Sequence, residues 1–225
     1  MKETSVATNP LPDTEQIRTW SGDFGREYTD RNTFTPAQVD ELYQRNYGIT
    51  RSEINRRFLE SIPRDARILE VGCNVGNQLL MLQSMGFRNL FGIEIQDYAL
   101  QRAQGRIPTA ILSQASALQI PYANGFFDLV FTSGVLIHIA PHDLPVAMRE
   151  IRRCAKHWIW GFEYYAPQMT EVAYRGHNEL LWKTDYARMY TEQFPELELV
   201  REDRMRSWKM TTSTPRSCCA SKNKV

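Results

Sequence analysis

The order of apolar and polar positions divides the chain into two textures. From Asp13 the pattern is helical: Asp13 suits an N-cap, and Ile17, Trp20 and Phe24 recur at helical spacing. Thr35-Pro36 predicts a second helix start, with proline at the first helical position. Thr50-Arg51-Ser52-Glu53 has the form of a capping box, and Ile54, Phe58 and Leu59 follow on one face until Pro63. Beyond it the texture changes. Residues 67–71 read as a buried strand, 77–85 as a helix stopped by Gly86, 89–95 as a second strand and 98–104 as a helix. Residues 109–112 make a weak third strand and 128–132 a strong fourth. A helix over 144–154 carries Leu144, Ala147, Met148 and Ile151 on one side, and 158–162 is a fifth strand. Strands alternating with helices imply an α/β fold with a mostly parallel sheet covered on both faces. Right-handed crossovers make that sheet doubly wound, with N-terminal helices ahead of it.

Composition narrows the class. At about 150 residues per domain, 225 residues make one domain with an appendage or one larger α/β domain. A hydrophobic share of 42% supplies a core and excludes a wholly disordered chain. The net charge of +1 argues against a broad nucleic-acid binder, so no nucleic-acid partner is expected. No run reaches the roughly 18 apolar residues of a membrane span. The start, MKETSVATNPLPDTE, lacks the apolar run of a signal peptide, and the expectation is a soluble cytoplasmic protein with no membrane partner. Cys73, Cys154, Cys218 and Cys219 form no CxxC pair and have no histidine at ligand spacing, so no metal site is predicted.

The most informative segment is Ile68-Leu69-Glu70-Val71-Gly72-Cys73-Asn74-Val75-Gly76-Asn77. A buried strand runs into a tight loop with glycine at both ends, then a helix, which is where doubly wound sheets bind cofactors. It is not a phosphate loop: there is no GK[ST] and no GxGxxG. Glu70 stands just before the glycines, where a carboxylate repels pyrophosphate and attracts a cation. The second strand ends in Gly92-Ile93-Glu94, and an acid there can take the hydroxyls of a ribose. A ligand with a ribose and a cation but no phosphate fits S-adenosylmethionine.

Residues 68–163 resemble a class I S-adenosylmethionine-dependent methyltransferase, through LEVGCNVG, GIE, SALQIPYANGFFDLVF and GVLIHI in the expected order. The resemblance implies a Rossmann-like fold in which Glu70, Gly72, Cys73, Asn74, Gly76 and Ser133 surround the amino-acid part of the cofactor. It further implies that Glu94 and Ile95 hold the ribose and that Ser116-Ala117 lie by the adenine. Two positions depart from the family pattern: Asn74 replaces the middle glycine, and Ser116 replaces the usual acid beside the adenine. The flanks, with Trp20-Ser21-Gly22-Asp23-Phe24-Gly25-Arg26-Glu27-Tyr28 before the sheet and the blocks 163–167, 174–177 and 181–185 after it, resemble methylases associated with pseudaminic acid biosynthesis. That likeness implies a small-molecule acceptor among precursors of surface nonulosonic sugars or sugar nucleotides.

Several residues carry candidate chemistry. His138, just past the fourth strand, is a general base or a histidine bracing its loop. Glu163, at the end of the fifth strand, and His177 are further catalytic candidates. Trp20, Tyr28, Tyr164, Tyr165, Arg175 and Lys183 are acceptor-binding candidates, the two cations by pairing with an acidic group. Trp20, Phe24 and Tyr28 form either a lid or the face of a core-packed helix; His142, after Pro141, reads as surface. The Ser116 substitution keeps open a methyltransferase fold that binds cofactor without catalysis.

The expected organisation is a flexible tail over 1–12, a helical prelude or lid over 13–62, a methyltransferase domain over 63–210 with a substrate insert at 164–192, and an irregular tail over 211–225. Residues 197–201 read as a sixth strand, weakly extended by 205–210. The family adds a seventh strand, antiparallel beside the fifth. The ending MTTSTPRSCCASKNKV has no period-2 apolar pattern, so that strand is expected to be missing and the sheet edge exposed.

Overall fold

The computed structural model describes residues 10–205 and 216–223. Four helices come first: α1 (Glu15–Ser21), α2 (Asp23–Arg31), α3 (Pro36–Tyr47) and α4 (Arg51–Leu59). The alternating part continues as β1 (Arg67–Val71), α5 (Asn77–Ser84), β2 (Asn89–Glu94), α6 (Asp97–Arg106), β3 (Ile111–Gln114), β4 (Phe127–Ser133), α7 (Leu144–Cys154) and β5 (Ala155–Tyr164). A two-stranded hairpin of β6 (Thr170–Glu171) and β7 (Trp182–Lys183) leads to α8 (Tyr186–Gln193), β8 (Leu197–Met205) and β9 (Arg216–Asn223).

The main sheet has the order β3-β2-β1-β4-β5-β9-β8. The first five strands are parallel and β9 is antiparallel to both of its neighbours. Successive strand residues face opposite layers, as a period of two requires. Ile68, Leu129, Phe131, Trp160 and Phe162 pack into one layer with Ile54 and Phe58 of α4 and Leu79 of α5. Leu69, Val71, Ile93, Val130 and Ile159 pack into the other with Met148 and Ile151 of α7. Helices α3 and α4 therefore belong to a core layer: each of Ile54, Phe58 and Leu59 is buried, contributing roughly 1.5–3 kcal/mol. Of the prelude, α1 and α2 are left to cover the site.

Local sequence explains the helix boundaries. In α3 the Thr35 side chain accepts from Gln38 N–H, the Gln38 side chain reaches back, Pro36 stands at the first turn and Gly48 ends the helix with φ 70°. Such caps stabilise a helix by about 1 kcal/mol. Thr50 caps α4 by accepting from Glu53 N–H at 3.1 Å. The first helical stretch differs from expectation in two ways. Thr14, not Asp13, is its N-cap, and the helix breaks at Gly22 into two. The break is fixed from outside the stretch, by the side chain of Gln96 at the start of α6. No helix among the described residues is long and apolar enough to cross a membrane.

The expectation of a missing seventh strand is overturned. Residues 216–223 pair with β5 from Trp158↔Lys222 to Tyr164↔Arg216, and with β8 from Leu197↔Asn223 to Met205↔Arg216. The physical reason is that apolar alternation reports burial of a face, whereas pairing uses backbone N–H and C=O groups that every residue in Arg216–Asn223 carries. The edges of the sheet are consequently β3 and β8, and β5 is internal. The expected weak extension over 206–210 lies outside the described residues.

Deleting residues 216–225 would strip the outer hydrogen bonds from β5 and detach β8 from the sheet. At about 1 kcal/mol per lost bond and roughly 2–4 °C per kcal/mol, Tm should fall by about 10 °C or more. The bared edges should also self-associate. Differential scanning calorimetry with size-exclusion chromatography checks this; an unchanged Tm in a monodisperse sample would contradict the pairing.

Candidate functional site

A cavity of about 340 Å³ opens along the carboxyl ends of β1, β2 and β4. That is the switch point, where β1 has β2 on one side and β4 on the other. The loop after β1 turns sharply. Gly72 has φ 70°, and a Cβ there would lie 2.6 Å from Val135 Cγ2. Gly72 N–H and Cys73 N–H both donate to the Ile93 carbonyl, at 2.8 and 3.0 Å, which anchors the loop to β2. Arg106 of α6 clamps the loop's far end, donating to Val75 O at 2.7 Å and Asn77 Oδ1 at 2.9 Å. Asn77 Nδ2 in turn donates to Asn32 O at 2.6 Å, stitching the prelude to the start of α5.

Two buried glutamates face this loop. Glu94 Oε2 accepts from Asn74 N–H at 2.9 Å, and Oε1 accepts from Ile95 N–H at 2.8 Å and Gln96 N–H at 3.1 Å. A carboxylate offers about four lone-pair positions, so one is left for a ligand hydroxyl. Burial pushes the Glu94 carboxyl above the usual range, and the same three N–H groups pull it back. Glu70 is pushed well above the usual range by burial; Arg51 opposes the rise and Glu94 adds to it. Arg51 is fully buried on α4, donating to Asn55 Oδ1 at 2.9 Å and Tyr43 Oη at 3.1 Å, with its guanidinium 4.4 Å from the Phe162 ring centroid.

Three oxygens around the cavity have no hydrogen-bond partner: Glu70 Oε2, Asn74 Oδ1 and Gln78 Oε1. Asn74 Oδ1 and Gln78 Oε1 accept only, Glu70 Oε2 accepts when ionised, and Trp20 Nε1, also around the cavity, is a buried donor without a partner. Buried polar groups are ordinarily paired, so the three oxygens are matched to ligand donors and the Trp20 N–H to a ligand acceptor.

The opposite wall is aromatic. Trp20 lies 4.3 Å from His138, 5.4 Å from Tyr28 and 6.3 Å from Tyr174, centroid to centroid. His138 ends a 3₁₀ turn, Leu136–His138, and its Nδ1 lies 2.7 Å from the Leu180 carbonyl. A carbonyl only accepts, so Nδ1 carries the hydrogen and the lone pair of the neutral ring is on Nε2. Glu163 sits beneath this turn. Its Oε1 accepts from Val135 N–H at 3.2 Å, its Oε2 is unpaired, and burial raises its proton affinity against the Thr132 hydroxyl and the N–H groups of Val135, Leu136 and Ile137.

The sequence-predicted residues divide cleanly. Glu70, Gly72, Cys73, Asn74, Glu94 and Ile95 line the cavity, as do Ser116, Ala117, Ser133 and His138. Trp20, Tyr28 and Tyr164 line it from the acceptor-candidate set. Gly76, Glu163, Tyr165, Arg175, His177 and Lys183 do not. Gly76 caps α5 behind the loop, and Ser116 Oγ accepts from Leu118 N–H at 3.1 Å. Tyr165 lies under the Arg204 guanidinium at 3.8 Å. Arg175 and His177 are exposed on the turn beyond Tyr174, with His177 5.3 Å from Phe24. Lys183 is half-buried, and burial lowers its proton affinity. The side chain of His142 is 78% exposed, as expected of a surface residue.

Sequence reasoning missed the α3 wall of Val39, Tyr43, Asn46 and Tyr47, as well as Gln78, Gln96 and Tyr174. Tyr43 and Tyr47, one helical turn apart, carried a signal, but one indistinguishable from ordinary core packing.

Comparison with known proteins agrees with the fold. Residues 69–157 match the family model described as a methyltransferase domain. An uncharacterized methyltransferase of Synechocystis is 30% identical over 90 residues, covering 40% of this chain and 42% of that protein. The chain thus spans about two-fifths of the length of this curated relative. Among solved structures, 1,6-didemethyltoxoflavin-N1-methyltransferase of Burkholderia thailandensis, with bound 1,6-didemethyltoxoflavin and S-adenosylhomocysteine, superposes with a TM-score of 0.70. It is 14% identical, covering 97% of this chain and 93% of that one. Geranyl diphosphate C-methyltransferase of Streptomyces coelicolor superposes with a TM-score of 0.69 at 13% identity, covering 96% of this chain and all of that one (100%). The chain has the Rossmann-like class I methyltransferase fold.

The raised affinity of Glu70 for a proton has a consequence for stability. A carboxyl that binds its proton more tightly when folded favours the folded state most below the unfolded value, about 4.3, and progressively less as pH climbs towards the folded one. Glu70→Gln should flatten that decline: between pH 5 and 8 its Tm should fall less than that of the wild type. Parallel Tm curves for the two proteins would show that Glu70 is not desolvated as described.

Proposed function

We propose that this protein is an S-adenosylmethionine-dependent methyltransferase acting on a small polar acceptor. The observation that carries this reading is the set of unpaired acceptors, Glu70 Oε2, Asn74 Oδ1 and Gln78 Oε1, in a cavity that also holds Glu94. Oxygens awaiting donors suit a ligand with an ammonium group, ribose hydroxyls and net positive charge. A dinucleotide would bring phosphates against two glutamates.

In this reading Glu70, Cys73, Asn74 and Ser133 hold the amino-acid end, with Gly72 and Gly76 shaping the loop. Glu94 and Ile95 hold the ribose, and Ser116 and Ala117 border the adenine. When bound, the sulfonium supplies an already activated methyl group, so the protein's work is positioning and exclusion of water. His138 accepts the proton of a hydroxyl acceptor at Nε2, the nitrogen left basic by the Leu180 carbonyl. Glu163 acts through the turn it underpins rather than on the acceptor. Trp20, Tyr28 and Tyr164 flank the acceptor. Arg175, His177 and Lys183, outside the cavity, serve only an acceptor long enough to reach beyond it. The likeness of the flanking blocks to methylases associated with pseudaminic acid biosynthesis puts precursors of nonulosonic sugars and sugar nucleotides first among the acceptors to try.

The test is mass spectrometry of nucleotide-sugar and small-metabolite mixtures incubated with protein and S-adenosylmethionine. A gain of one methyl on one component is expected. His138→Ala should lower that turnover by about 10²–10⁴-fold while leaving affinity for S-adenosylhomocysteine within about threefold. Cofactor binding without methyl transfer to any component would favour the non-catalytic reading, and unchanged turnover in the variant would make His138 structural.

A further inference from the structure

The asparagine that replaces the loop's middle glycine has φ 47°, a left-handed conformation that glycine would adopt without strain. Its side chain has two different engagements. Nδ2 donates to Thr29 Oγ1 of α2 at 2.8 Å, while Oδ1 is buried, unpaired and on the cavity wall. Thr29 passes the connection on: its hydroxyl donates to Gln96 Oε1 at 2.9 Å. Gln96 Nε2 then reaches the break between α1 and α2, donating to Trp20 O at 3.1 Å and Gly22 O at 3.3 Å. Thr29 and Gln96 are buried at 0% and 4% exposure, so water does not substitute for these bonds. The approach is close enough to require glycine at 25, where a Cβ would lie 1.8 Å from Trp20 O and 2.8 Å from Gln96 Nε2.

We infer that Asn74, Thr29 and Gln96 form a latch that couples the donor loop to the acceptor wall, with Asn74 as the positioning residue that reads the cofactor on Oδ1 and holds the lid on Nδ2. Every donor in the chain points the same way, from the glycine loop to the carbonyl of Trp20, whose ring packs on His138 and Tyr28. A ligand donor on Asn74 Oδ1 restrains the amide plane, and with it the nitrogen that grips Thr29. Restraint of Thr29 and Gln96 fixes the Gly22 break and the Trp20 ring beside His138. The donor pocket thereby assembles the acceptor pocket. The consequence for catalysis rests on the methyltransferase reading; the latch itself is a property of the fold.

Hydrogen–deuterium exchange by mass spectrometry tests it, with S-adenosylhomocysteine as the probe and peptides from residues 15–31 as the readout. Thr29→Val removes the hydroxyl at constant shape, Thr29→Ser keeps it, and Asn74→Gly keeps the left-handed backbone but removes the side chain. In the unliganded protein, T29V and N74G should each speed exchange across 15–31 by about tenfold or more, since a buried partner is left unpaired. Peptides from 67–71 should be unchanged. S-adenosylhomocysteine should slow exchange across 15–31 in the wild type and in T29S but not in T29V or N74G. The latch is overturned if T29V matches the wild type, if T29S matches T29V, or if exchange rises equally over the whole chain. Failure of the wild type to bind S-adenosylhomocysteine would instead overturn the methyltransferase reading, and the unliganded comparison would still decide the latch.

Discussion

The structure is organised around the buried carboxylate of Glu94. Placing an acid at the end of a central strand costs solvation, and the chain offsets that cost with N–H donors from two segments: Asn74 in the glycine loop, and Ile95 and Gln96 at the β2–α6 turn. One side chain therefore sets the position of the loop after β1 relative to the turn after β2. The cavity, the unpaired oxygens around it and the approach of the α1–α2 break to Gln96 all depend on that one arrangement.

The two walls of the cavity come from different parts of the chain. The wall with Glu70 and Glu94 is built by the sheet and its first two crossover loops, where strand ends and backbone amides give fixed positions. The aromatic wall is built by prelude helices and the turn after β4, held by side-chain contacts: Trp20 against His138, His138 against Leu180 O, Glu163 under Val135.

The parts that were legible in the sequence are those set by local chemistry. Strand–helix alternation, the Thr35 and Thr50 caps, the glycine loop and Glu94 are each written in neighbouring residues. The parts that were not legible depend on distant partners. Arg216–Asn223 becomes a strand because β5 and β8 offer unpaired backbone on either side, which no periodicity records. The Gly22 break is held by Gln96, 74 positions away, and Tyr43 faces a cavity rather than a plain core because of the strands beneath it. Glu163 stands near a strand's carboxyl end, and its Oε1 accepts from Val135 N–H at the entry to the turn Leu136–His138, a partner no local pattern records.

The proposed function stands on one discrimination: the cavity favours a ligand with a ribose and a cation over one with phosphates. Titration calorimetry of the wild-type protein with S-adenosylhomocysteine and, separately, with ADP-ribose addresses it, because both ligands carry adenosine and differ in the group attached to its 5′ carbon. One-to-one binding of S-adenosylhomocysteine and no measurable heat from ADP-ribose are predicted. Tighter binding of ADP-ribose, or no binding of S-adenosylhomocysteine, would contradict the discrimination.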